Sequence, residues 1–97
     1  MTLKENRRKM KTYWFHVFLS GIDVMTDEIA EALFEAGCED GLPSSSEGLA
    51  QVYFAREAES LESAISGALS EIERAGFEFS KVEIDPESLH SLFRNVA

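Results

Sequence analysis

Residues 60–76 read S-L-E-S-A-I-S-G-A-L-S-E-I-E-R-A-G, and this stretch constrains the fold of the 97-residue chain more than any other. Leu61, Ala64, Ile65, Ala68, Leu69 and Ile72 recur at the helical period, while Glu62, Ser63, Ser66, Ser70, Glu71 and Glu73 fall elsewhere. One apolar stripe therefore runs along a polar helix and needs a surface to cover. Its ends are also specified. Ser60 can accept from the free amides of the first turn, Glu62 complements the dipole there, and Gly76 can take the left-handed conformation that stops a helix.

The surface comes from strands. Thr12 to Ser20, T-Y-W-F-H-V-F-L-S, is rich in aromatic and branched residues and predicts a strand with Tyr13, Phe15, Val17 and Leu19 on one side and Trp14, His16 and Phe18 on the other. Both sides are apolar, as in a central strand covered twice. Leu49 to Arg56 predicts a second strand, with Val52 and Phe54 on one face and Leu49, Gln51 and Tyr53 on the other. Between them, Thr26 caps a helix over Asp27 to Ala36 whose stripe is Ile29, Ala30, Leu33 and Phe34, with Gly37 as the stop. A short edge strand at Gly41 to Ser44 and a turn at Ser46 to Gly48 follow. A strand is expected over Phe79 to Ile84, with Phe77 at the helix exit. The apolar period slips by one between Phe77/Phe79 and Val82/Ile84, so a bulge is expected at Ser80 or Lys81. Asp85-Pro86-Glu87 opens a last amphipathic helix carrying Leu89, Leu92, Phe93 and Val96.

The order strand, helix, strand, strand, helix, strand predicts an α+β, ferredoxin-like βαββαβ domain over residues 12–85. Its four-stranded antiparallel sheet has two helices on one face, residues 1–11 precede it as a basic segment that frays, and residues 86–97 follow as a C-terminal helix. The second sheet face then carries Trp14, His16, Phe18 and Tyr53, or their neighbours in the alternate register. Something must hide it: the terminal helix in cis, or a second copy of the chain in trans.

Charge narrows the functions. Residues 1–11 hold five basic side chains against Glu5 alone, leaving 4 basic and 17 acidic side chains in the rest. A body that acidic repels phosphate backbones, so the folded part is not expected to bind nucleic acid directly. No apolar run approaches the roughly 20 residues that span a bilayer, and the basic start lacks the apolar core and cleavage site of a signal peptide. The chain reads as cytoplasmic, with no membrane partner. One cysteine, Cys38, allows no internal disulfide.

E-A-L-F-E-A-G-C-E-D-G at 31–41, V-Y-F-A-R-E-A-E-S-L-E-S-A-I at 52–65 and E-R-A-G-F-E-F-S-K-V-E-I-D-P at 73–86 resemble the pattern of a family of small bacterial proteins of unassigned biochemistry. The resemblance covers residues 13–87. It implies a regulator- or antitoxin-like setting, because many members continue into a helix-turn-helix; here only Glu87 to Ala97 follow, too few for two helices and a turn. What the resemblance leaves is a front domain whose implied work is contact with itself or another protein.

No pattern specifies chemistry. Cys38 lacks a base in triad-like context, since His16 is mid-strand and His90 lies in the terminal helix, and it reads as a small buried hydrophobe. One Cys and two distant His do not make a zinc site, and Glu39, Asp40 and Glu47 lack the spacing of a calcium loop. Ser44-Ser45-Ser46 has neither the glycines nor the lysine of a phosphate cradle. Arg56 reads as paired with local acids. No catalytic residue, cofactor or metal is therefore expected. The expected function is a non-enzymatic interaction or oligomerisation module, a homodimer or a binder of another protein. Its interface is Trp14, His16, Phe18 and Tyr53 with Leu89, Leu92, Phe93 and Val96. The alternative is an acidic decoy that occupies the groove of a nucleic-acid-binding protein, and an enzyme using Cys38 ranks third.

Overall fold

The computed structural model describes residues 10–89. Strand β1 (Lys11–Leu19) is followed by helix α1 (Asp27–Glu35), strands β2 (Gly41–Ser46) and β3 (Leu49–Ala58), helix α2 (Leu61–Arg74) and strand β4 (Phe79–Ile84). A helical turn then opens at Pro86 and is described as far as Leu89. The strands form one sheet in the order β2-β3-β1-β4, every pair antiparallel. This is the ferredoxin-like α+β arrangement expected from the order of elements.

The core lies between one sheet face and the helices. Phe15, Val17, Leu19, Val52 and Phe54 project from the two central strands and are buried with Leu33 of α1 and Ala64, Ala68 and Ile72 of α2. Phe15 and Phe54 are cross-strand partners whose rings stack with centroids 5.3 Å apart. Alanines at positions 64 and 68 let α2 lie close to these rings, while Leu61, Ile65 and Leu69 flank the contact and Phe77 packs at its exit. Thr26 and Ser60 cap the two helices as expected, accepting from Ile29 N–H and Ser63 N–H.

Both helices end alike. After α1, Gly37 has φ 120°, its N–H donates to the Phe34 carbonyl, and Cys38 N–H reaches back to Leu33. After α2, Gly76 has φ 98°, with Gly76 N–H to Glu73 and Phe77 N–H to Ile72. These are paired Schellman stops, and each turns the residue after the glycine, Cys38 or Phe77, onto the core.

Phe34 departs from expectation. Expected on the buried stripe of α1, it is 53% exposed, because the sheet beneath it ends at β2, where Gly41 and Pro43 offer little side chain to cover a ring. β2 itself runs two residues further than expected, to Ser46, and turns through Glu47 (φ 52°) and Gly48 (φ 77°) into β3. The expected irregularity in β4 is present: Phe18 pairs with Lys81 and Leu19 with Phe79, leaving Ser80 as the extra residue.

Candidate functional site

Strand alternation builds the site. With the odd-numbered residues of β1 committed to the core, Trp14, His16 and Phe18 take the other face, beside Tyr53 and Gln51 of β3 and Lys81 and Glu83 of β4. His16 stacks on Tyr53 at 4.3 Å and on Phe18 at 6.1 Å between centroids. Lys81 Nζ sits 4.8 Å above the Phe18 ring, a cation-π contact that closes one end of the row. The four sheet residues named from the sequence are thus brought together: Phe18 is buried, and Trp14, His16 and Tyr53 are half-buried.

A polar chain threads the aromatics. His16 Nδ1 donates to Gln51 Oε1 at 2.6 Å, and His16 Nε2 lies 3.9 Å from Asp85 Oδ1. Tyr53 Oη donates to Asp85 Oδ2 at 2.7 Å, and this bond to a carboxylate pushes the phenol up to about 12. Asp85 N–H continues the ladder to the Trp14 carbonyl. Ser88, only 3% exposed, then closes the strand end: its Oγ accepts from Trp14 N–H at 2.7 Å and donates to Trp14 O at 3.1 Å. The segment after β4 is therefore bolted to the tryptophan's own backbone. Leu89 is half-buried at the end of the described turn, whereas His90, Leu92, Phe93 and Val96 lie outside the described residues.

Two exposed apolar residues extend the face beyond its aromatic row. Leu42, paired with Tyr53, is 66% exposed and Leu49 is 40% exposed. Leu49 falls on this face by the alternation of β3. Leu42 could have been found the same way, because the register of β2 puts it opposite Tyr53.

On the opposite side of the sheet, Arg56 holds the loop after α1. Its Nε and Nη2 take the two oxygens of Asp40 at 2.8 Å each, and Nη2 also donates to Glu71 Oε1 at 2.6 Å. The guanidinium lies over Phe54 at 5.1 Å. Asp40 first, then Glu71, hold Arg56 more firmly protonated than usual. Cys38 lies in the core beneath this cluster, where burial and then the Glu71 carboxylate push its thiol up to about 11. A thiol held that way is a poor nucleophile at neutral pH. His16 is on the far face of the sheet, so the two share no cleft.

Around Arg56 a groove is lined by Met10, Thr12, Glu39, Asp40, Glu57 and Glu59. Among the described residues no group of three or more His, Cys, Asp or Glu is placed to hold a metal ion, and no helix is long and apolar enough to cross a membrane. Ser45, from the triple-serine run, accepts from Met25 N–H at 2.6 Å and so ties the loop before α1 to β2. Compared with protein-family models, with curated proteins and with solved structures, the chain finds no match.

Proposed function

We propose that this domain is a non-enzymatic interaction module that receives another protein surface, a second copy or a different chain, on the sheet face opposite its helices. The single observation that carries the reading is that face itself: Trp14, His16, Phe18 and Tyr53 in one aromatic row, continued by the exposed Leu42 and Leu49. Apolar side chains gathered on one face mark contact surfaces, and aromatic residues with a polar tip are favoured at interfaces. The suggested resemblance to small bacterial regulators and antitoxins fits a role of this kind.

Trp14 is the sole tryptophan, so iodide quenching of its emission reads this face. Quenching is expected to fall as protein concentration rises, or on adding the cognate partner. In Leu42→Asp/Leu49→Asp, which changes no core residue, that dependence is expected to disappear. A Trp14 that is shielded at every concentration, and equally so in the variant, would mean that the chain covers the face itself and would refute the proposal.

The acidic-decoy reading draws on Glu39, Asp40, Glu57 and Glu59 along one groove. It is the weaker of the two, because Asp40 is already neutralised by Nε and Nη2 of Arg56.

A further inference from the structure

The sheet has two outer edges, and they are treated differently. At β2, the bond from Ala55 N–H to the Asp40 carbonyl fixes the alternation of the ladder, so the main chain of Gly41, Pro43 and Ser45 points outward. That edge is blunted. Gly41 N–H is taken by the Cys38 carbonyl, Pro43 has no donor, and the Ser45 hydroxyl is occupied by Met25. Proline on the outer side of an edge strand is a standard protection against further pairing.

At β4, the bond from Asp85 N–H to the Trp14 carbonyl and the register of Glu83 with His16 and Lys81 with Phe18 turn those residues' main chain inward. Val82 and Ile84 therefore direct their N–H and C=O groups outward. This edge has no proline, and among the described residues nothing outside the sheet meets those groups. Beside it lies a shallow groove in which Ile65, Leu69 and Phe79 alternate with Glu62, Glu73 and two serines. On the other side, Lys81 and Glu83 sit two residues apart, 3.2 Å from each other and both half exposed.

From this edge we infer that β4 pairs with β4 of a second copy of the chain, antiparallel about a two-fold axis at Val82, to give a continuous eight-stranded sheet. The charge pattern selects that occupant. Centring the pair on Val82 sets Lys81 of each copy directly opposite Glu83 of the other, twice over. It also makes Val82 a doubly hydrogen-bonded pair, which its outward N–H and C=O require. An isologous seam needs a self-complementary patch, and a plus-minus pair flanking an outward valine is one. The pairing edge is the main chain of Val82 and Ile84; Lys81 and Glu83 project on the side of the open face, but the pairing does not rest on the function proposed for that face.

The test uses charge complementation in the full chain. Lys81→Glu alone puts four carboxylates along the seam and Glu83→Lys alone puts four ammonium groups there, so each is expected to weaken dimerisation by about tenfold or more. Mixing the two variants restores opposite charges and is expected to give a heterodimer in sedimentation equilibrium. Val82→Pro, which removes an outward donor, is expected to abolish association even where the charges are native, and circular dichroism confirms that each variant is folded. Hydrogen exchange gives an independent measurement: the Val82 and Ile84 amides should be protected at high concentration and exchange freely on dilution. A wild type that stays monomeric from micromolar to millimolar concentration overturns the inference, as does a dimer indifferent to all three substitutions. Protection of those two amides in a strict monomer would also overturn it, because another segment of the same chain would then hold the edge.

Discussion

Arg56 ties three segments together with one guanidinium: β3 on which it sits, the loop after α1 through Asp40, and α2 through Glu71. Its side chain is only 11% exposed, so Arg56→Ala leaves two carboxylates facing each other in a half-dry setting. The expected loss is about 2–3 kcal/mol in urea unfolding, and Arg56→Lys should recover only part of it because an ammonium cannot form the two-pronged contact. Cys38 beneath the cluster makes a second test. Its thiol titrates at about 11 instead of its ordinary 9.0. A pKa raised by folding contributes stability that is whole below about pH 9 and is lost as pH climbs through about 11. At pH 8 its reaction with a thiol reagent should run about a hundredfold slower than that of an open cysteine and become fast on unfolding. Tyr53 follows the same sign. Its bond to Asp85 stabilises the fold below about pH 10 and is lost as pH rises through about 12, so the absorbance change of a late-titrating phenol should vanish in Tyr53→Phe. Cys38 is legible as buried because a helix stop sits beside it, whereas Arg56, expected to pair with acids near it in sequence, takes Asp40 and Glu71, 16 and 15 positions away. Glu71 could not be anticipated, because it meets Arg56 only after α2 folds back over the sheet.

At the level of elements, legibility followed periodicity. α2, β1 and β3 are legible because each repeats its apolar residues at a single period, and β4 because its two periods meet at one slip. Even the bulge at Ser80 was written as a slip between Phe77/Phe79 and Val82/Ile84. Phe34 was misplaced because a helical period tells which residues share a stripe and not how far the sheet beneath extends. The junction after β4 was only half readable: Asp85-Pro86 announced a helix, but nothing announced that Ser88 would reach the backbone of Trp14, 74 positions earlier. Ser88→Ala removes both of its bonds to Trp14 and leaves a main-chain N–H and C=O without those partners. It is expected to lower stability by about 1–3 kcal/mol and to raise hydrogen exchange at the Trp14 amide more than at Phe15. Equal exchange at the two amides in the variant would mean that the serine is not what closes the strand end.

The whole molecule carries 18 acidic against 9 basic side chains, an excess that repels itself in the compact state. Raising salt from low to moderate ionic strength screens that repulsion, so the Tm should climb by a few degrees; for a domain of this size roughly 4–8 °C corresponds to 1 kcal/mol. A Tm that falls with salt would show that attractive pairs such as Arg56 with Asp40 outweigh the general excess. The division of the sheet into two sides has an outcome at this scale as well. Positions 14, 16, 42, 49, 51 and 53 all face away from the packed interior, alternating in their strands with residues that fill it. Apart from Tyr53, whose bond to Asp85 supports the fold, they form a panel that can be rewritten by drift or by an engineer's library while the scaffold beneath keeps its shape, so the two sides of this small protein are free to change at different rates.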